Sequence, residues 1–268
     1  MNKYSQIQSS KIKIDQLYKH NHHIHHSSML LNRVGESYST PHLYNEPEID
    51  YKKDPWEYHI NKHGFRGGEW TFEKSPAFFG CSCTFGIGVN TPASELLAKR
   101  LNIPNIPNLG MPGSSIANII KVFTSFIRLY PVSDAFIILP PPGRVFLPEY
   151  DTHSERWHYD TVLVNHYGTI SKKRHKQIFS VFTEDVSACY ATDYIDWANV
   201  VAKQYGTTIH WMSWDEHTFN DYLLNVTDNP TLWNLPKPPA RDRAHPGVAA
   251  HNWLANACYK LIDNSSNR

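Results

Sequence analysis

Residues 77–88 read Ala77-Phe78-Phe79-Gly80-Cys81-Ser82-Cys83-Thr84-Phe85-Gly86-Ile87-Gly88. The apolar start is typical of a short buried strand, and the glycines that follow predict a tight turn. A strand that ends in such a turn lifts a small hydroxyl out of the sheet and leaves room for a substrate beside the backbone. Ser82 is therefore a candidate nucleophile, or else a small residue that the turn requires.

A second cluster near the C-terminus contains the other two groups that a serine nucleophile needs. It reads Asp242-Arg243-Ala244-His245-Pro246-Gly247, and its carboxylate and imidazole are three residues apart. At that spacing Asp242 can hydrogen-bond to His245 and fix the ring as a base. The plain alternative is that His245 caps a helix and that Asp242 is a turn residue.

Two further stretches complete a pattern. Asn61-Lys62-His63-Gly64-Phe65-Arg66-Gly67-Gly68-Glu69 precedes the Ser82 turn, and Asn108-Leu109-Gly110-Met111-Pro112-Gly113-Ser114 follows it. With the two clusters above, these stretches resemble the blocks of the GDSL/SGNH family of serine esterases: N-x-x-G-F-R-G-x-E, G-D-S-x-T-x-G, N-x-G-x-x-G and D-x-x-H-P. The four matches occur in the family's order and cover the chain from about residue 61 to the C-terminal helix.

The resemblance implies a role for each candidate residue. Ser82 would be the nucleophile, His245 the general base and acid, and Asp242 the residue that orients His245. The backbone N–H groups of Ser82 and Gly110 would hold the oxyanion. The family needs neither a metal nor an organic cofactor, so none is expected here.

The chain departs from the family at two positions. Cys81 stands where the family has aspartate, and Pro140-Pro141-Pro142-Gly143-Arg144 stands where a third block should supply an asparagine to the oxyanion. Loss of one such donor typically lowers kcat by about 10²–10³. Arg144 is a candidate replacement, because its positive charge suits an anion, or an ordinary surface or substrate-carboxylate contact.

The remaining pattern predicts the fold class. Apolar runs alternate with helical stripes: strands are expected at 77–80, 103–109, 134–139 and 207–212, and helices from about 91, 114, 190 and 246. This alternation predicts a three-layer α/β/α sandwich with a central parallel sheet, flavodoxin-like, as in SGNH hydrolases. Sites in such sheets lie at the carboxyl ends of strands, where Ser82, Gly110 and Arg144 are expected.

The predicted organisation is one domain with appended segments. Residues 1–60 are polar and aperiodic, which indicates an irregular arm, and residues 61–268 form the hydrolase-like domain. Residues 145–178 read as an insertion that forms either a lid or a loop excursion packed on its own aromatic side chains. The run His20–His26 in the arm offers no fixed metal geometry, and Phe65 and Arg66 are interpreted as structural residues.

Composition excludes several functional classes. The chain has 268 residues with 26 basic and 25 acidic side chains, a net charge of +1, so no field attracts nucleic acid or an anionic membrane. No apolar run is long enough for a membrane span, and the N-terminus lacks the core of a signal peptide, which predicts a cytoplasmic protein. The four cysteines form no recognisable disulfide framework and are expected to be reduced. The oligomeric state stays open.

The leading functional hypothesis is a serine esterase that removes a short acyl group, such as acetyl, from a hydroxylated or carbohydrate-like carrier. A catalytically weakened SGNH-fold module that binds a glycan or a protein is an alternative, motivated by Cys81 and the missing asparagine. A third is an O-acyltransferase with the same triad. Cys81 and Cys83 also raise two minor alternatives, a cysteine nucleophile and a zinc site.

Overall fold

The computed structural model describes residues 37–39, 57–61, 63–151, 156–163, 184–233 and 245–266. The strands are β1 (Ser37–Ser39), β2 (Glu57–His59), β3 (Ser75–Gly80), β4 (Asn108–Gly110), β5 (Val132–Leu139), β6 (Arg144–Asp151), β7 (Arg156–Leu163), β8 (Thr208–Ser213) and β9 (Thr231–Leu232). The helices are α1 (Ser82–Phe85), α2 (Ala93–Leu101), α3 (Ile116–Phe126), α4 (Glu184–Tyr205), α5 (Glu216–Thr218), α6 (Leu224–Val226) and α7 (Val248–Ser266), with a π-helical turn at Phe219–Leu223.

A five-stranded sheet forms the centre of the fold. Its strand order is β4-β3-β5-β8-β9, and every pair is parallel. When these five strands are numbered by their order in the chain, the sheet has the flavodoxin-like order 2-1-3-4-5. The predicted central parallel sheet is therefore confirmed. In this order the chain changes direction across the sheet between β3 and β5, and ligands of open α/β sheets bind at that switch point, beyond the carboxyl ends of the strands.

Helices cover both faces of the sheet and give the predicted three layers. Alternate residues of each strand enter opposite cores: Phe79 and Ile137 belong to one apolar cluster, and Phe78 and Phe136 to the other. The first cluster contains buried residues of α3 and α4, and the second contains buried residues of α2 and α7. A sheet covered on both faces exposes only its strand ends, so the loops there are the natural place for a site.

Local sequence signals explain where the longer helices begin and end. Ser115 caps α3 by accepting a hydrogen bond from the Asn118 N–H at 3.3 Å, which satisfies a donor that the first turn leaves unpaired. Helix α4 ends at Tyr205 and is followed by Gly206, whose φ of +64° is left-handed, the usual conformation after a helix end. The expected strand at 103–109 is shorter in the structure, because only Asn108–Gly110 pairs with β3.

Two segments outside the main sheet bear on the predicted domain limits. Strands β1 and β2 pair antiparallel within residues 1–60, and Tyr58 and Ile60 are buried with Phe85 and Ile87 in a small apolar cluster. Strands β6 and β7 form an antiparallel hairpin within the expected insertion. The run His20–His26 lies outside the described residues. No helix in the described ranges combines the length and the apolar character of a membrane span.

Candidate functional site at the carboxyl edge of the sheet

Ser82 lies at the switch point of the sheet. It is the first residue of α1, directly after β3 and the extended residue Cys81, and it is 7% exposed. Its carbonyl accepts hydrogen bonds from Gly86 and Ile87, whereas its own N–H has no partner among the described residues. The hydroxyl therefore sits beside an open backbone donor, which is the arrangement that a nucleophile next to an oxyanion site requires.

Gly110, the last residue of β4, packs directly against α1. It lies opposite Gly80 in the strand pair, and a Cβ at this position would clash with the backbone nitrogen of Phe85 and lie 2.8 Å from its Cα. Its N–H was expected to face an oxyanion, but it donates to Asn108 Oδ1 at 3.0 Å. The Asn108 amide in turn donates to Thr84 O at 3.0 Å. Gly110 thus serves the close approach of β4 to α1, and its N–H is occupied in this structure.

Gly110→Ala is expected to lower the free energy of unfolding by about 3 kcal/mol, the upper end of the usual cost of overpacking, because the new methyl meets backbone atoms that cannot rotate away. Gly206→Ala is the matched control. It places a methyl in open space at φ +64°, so only left-handed strain of about 1–2 kcal/mol applies. Urea unfolding of both variants checks the prediction, and equal losses would contradict the close contact.

Gly113, in the turn beyond β4, is a candidate backbone donor in place of Gly110. It has a left-handed φ of +78° in the turn closed by Ser114 N–H to Met111 O at 3.1 Å. Pro112 followed by glycine is the sequence of a type II turn. The N–H of Gly113 has no partner among the described residues. Beyond the end of β4, this amide is free to bind an anion.

Arg144, the first residue of β6, lies at the same edge, just after the loop that follows β5. Its Nη1 donates to Ser114 O at 3.5 Å, next to the Gly113 turn. Its positive charge also acts on both thiols that flank Ser82: it adds to the lowering of the pKa of Cys81 and opposes the raising of the pKa of Cys83. The structure therefore places this cation beside the Gly113 turn and within electrostatic reach of the two thiols that flank Ser82.

The two cysteines around Ser82 belong to the core. Cys81 is fully buried and Cys83 is 4% exposed, and the Ser82 hydroxyl contacts Cys81 Sγ at 4.0 Å. A hydrogen bond from the Cys83 thiol lowers the pKa of Cys81, and Arg144 adds to the effect against the opposing influence of burial. The same thiol contact and burial raise the pKa of Cys83. Cys83 therefore stays protonated and is a poor nucleophile.

His245 is half-buried just before α7, whereas Asp242 lies outside the described residues. Burial, followed by the charges of Arg66 and His245, lowers the pKa of His251 to about 3. The His251 ring accepts the Ala93 N–H at 3.2 Å, at the start of α2. His245 is thus within electrostatic reach of His251, while its contacts with Ser82 and Asp242 stay predictions.

The roles of two residues at this edge, Arg66 and Gly113, were not predicted from the sequence. Arg66, interpreted from the sequence as a structural residue, donates from its guanidinium to four backbone carbonyls in residues 85–90, at the end of α1 and in the loop after it. No sequence signal identifies partners about twenty residues away. For Gly113 the sequence carries an indirect signal. Asn108 lies two residues before Gly110, and an asparagine side chain commonly binds the backbone N–H at i+2. That bond occupies the Gly110 amide and leaves Gly113 as the candidate donor.

Within the described ranges, no group of three or more His, Cys, Asp or Glu side chains is arranged to hold a metal ion. The four cysteines are unpaired. No protein-family model matches this chain, and a comparison with curated proteins found no match.

Proposed function

We propose that this protein is a serine esterase of the GDSL/SGNH type. It would hydrolyse a short acyl ester, such as an O-acetyl group on a carbohydrate-like carrier, with Ser82, His245 and Asp242 as its catalytic triad. The observation that carries the proposal is the position of Ser82. It begins the turn after β3 at the switch point of a parallel sheet, with an unpartnered backbone N–H beside its hydroxyl.

The roles follow from the chemistry of acyl transfer. His245 takes the proton of the Ser82 hydroxyl, and the oxygen attacks the ester carbonyl to form a tetrahedral oxyanion. The carbonyl re-forms as the alcohol leaves with a proton from His245. Water, deprotonated by the same imidazole, then attacks the acyl-enzyme and releases the carboxylic acid and free Ser82. Asp242 holds the ring of His245 in the required tautomer.

The proposed oxyanion donors differ from those that the resemblance implies. The N–H groups of Ser82 and Gly113 have no partner among the described residues, whereas that of Gly110 is bound to Asn108. Arg144 supplies a third donor in place of the missing asparagine. One of its N–H groups makes a long contact with Ser114 O, which leaves the others of its five donors for an anion.

A binding module is the second candidate, and one observation favours it. The occupied Gly110 amide and the absent asparagine together remove two donors from the site that the family pattern implies. Each lost donor lowers kcat by about 10²–10³. If Gly113 and Arg144 do not replace them, the protein would bind an ester or glycan without turning it over.

Hydrolysis of p-nitrophenyl acetate by the purified wild-type chain tests the proposal. We expect saturable turnover that one equivalent of a fluorophosphonate abolishes. If the chain neither turns over p-nitrophenyl acetate nor reacts with the fluorophosphonate, the esterase is rejected and the binding module is favoured. Adding a simple sugar as acceptor separates the acyltransferase: faster p-nitrophenol release together with sugar acetate would identify transfer rather than hydrolysis.

A further inference from the structure

Arg66 is a buried cation that binds the loop behind the candidate nucleophile. Its side chain is 1% exposed. Nη1 donates to Phe85 O at 3.1 Å and to Gly86 O at 2.6 Å, and Nη2 donates to Val89 O at 2.8 Å and to Asn90 O at 2.7 Å. Four carbonyls of one short loop thus converge on a single planar fork.

Aromatic rings hold this fork in place. The guanidinium carbon lies 4.6 Å from the centre of the Tyr58 ring and 5.5 Å from that of Phe85, within the range of cation–π attraction. The Tyr58 hydroxyl accepts the Gly88 N–H at 2.7 Å. Tyr58 and Arg66, which both precede β3 in the chain, therefore bind the same loop, residues 85–90.

The loop of residues 85–90 is hydrogen-bonded directly to Ser82. The Gly86 N–H donates to Ser82 O at 3.0 Å, and the Ile87 N–H donates to the same oxygen at 3.3 Å. Gly86 also supplies a carbonyl to Arg66, so one residue links the guanidinium to the backbone of Ser82. Helix α1 has only four residues, and a single turn is not stable by itself.

We propose that Arg66 is a positioning residue for Ser82: its hydrogen bonds to residues 85–90 fix the turn that aims the Ser82 hydroxyl at the ester. This inference rests on the proposed esterase activity. Lysine cannot replace arginine here, because an ammonium has three donors on a point charge and cannot reach four acceptors from a planar fork. Loss of the fork lets α1 shift, and a displacement of about 1 Å at a nucleophile lowers the rate by about 10²-fold.

The test compares Arg66→Lys with wild type and with Arg100→Lys. Arg100 also makes three hydrogen bonds, to Leu96 O and the side chains of Asn252 and Asn256, but it joins α2 to α7 and does not touch residues 85–90. Each protein is titrated with a fluorophosphonate, and kcat and KM for p-nitrophenyl acetate are expressed per titrated site. If Arg66 has only a structural role, Arg66→Lys lowers the number of titrated sites and leaves kcat per titrated site unchanged.

For Arg66→Lys we expect kcat per titrated site to fall by about 10- to 100-fold with KM within about twofold. We expect Arg100→Lys to match wild type. Millimolar guanidinium should restore part of the rate in Arg66→Ala, because it refills the vacated site. An Arg66→Lys variant with wild-type kcat per site would overturn the proposal.

Should Arg66→Lys not fold, Tyr58→Phe decides the question. It removes the acceptor of the Gly88 N–H and keeps the ring beside Arg66, so kcat per site should fall several-fold, and an unchanged kcat would overturn the proposal. A wild-type chain with no turnover is a different result, because it rejects the esterase itself. A wild type that is active beside equally active variants rejects only the role of Arg66.

Discussion

Ser82→Ala is expected to lower kcat for p-nitrophenyl acetate by about 10⁴–10⁶, because a triad without its nucleophile retains only the contribution of the oxyanion donors. His245→Ala should cause a loss of similar size, and the double variant should be no slower than either single one, because the residues act as a unit. The free energy of unfolding should change by less than about 1 kcal/mol in Ser82→Ala, since the hydroxyl contacts only weak partners, the neighbouring thiols of Cys81, at 4.0 Å, and of Cys83 among the described residues.

Cys83→Ala is the control that separates serine from cysteine chemistry. Its thiol is buried and its pKa is raised, so the variant should keep kcat within about tenfold of wild type, the allowance being for lost packing beside Ser82. Initial rates over a range of substrate concentrations measure both variants. Activity that survives Ser82→Ala and disappears in Cys83→Ala would reassign the nucleophile.

The second large effect is on stability in acid. His251 is completely buried, and its pKa is lowered from 6.5 to about 3 by burial, Arg66 and His245, against a raising effect of the Pro246 carbonyl. The folded state prefers the neutral ring, so its contribution is fully present above pH 6.5 and is lost as the pH falls from 6.5 toward 3. The shift corresponds to about 5 kcal/mol over that range.

His251→Asn removes this titration and keeps the hydrogen bond. The asparagine Oδ1 occupies roughly the place of the Nδ1 atom that accepts the Ala93 N–H. The variant should be less stable than wild type at pH 7, since a ring is lost from the core, but its stability should fall less steeply below pH 6.5. Urea unfolding at pH 7, 5.5 and 4.5 provides the comparison. Parallel curves for the two proteins would contradict a buried neutral His251.

Local patterns predicted the fold well. The stripe of apolar residues in α3 and the run that became β5 are visible in the sequence, because each side of the sheet needs a continuous apolar surface. The predicted strand at 103–109 wrongly included residues 103–107. Ile106 is buried, yet Pro104 and Pro107 lack the N–H that a ladder needs, so pairing begins only at Asn108.

The candidate site was predicted only in part. Ser82 and Arg144 follow strand ends, and that relation is readable from the sequence once the strands are placed. The occupied amide of Gly110 and the role of Arg66 depend on backbone hydrogen bonds formed in three dimensions. Such bonds use main-chain atoms that every residue carries, so residue types alone do not reveal them.

The site of covalent modification tests the central claim most directly. The wild-type chain is treated with a fluorophosphonate, digested, and mapped by peptide mass spectrometry. We predict a single adduct on the Ser82 hydroxyl, with one equivalent bound per chain and loss of all turnover. No adduct at Ser82, or an adduct on Cys83 that accompanies inactivation, would contradict the assignment of this protein as a serine esterase.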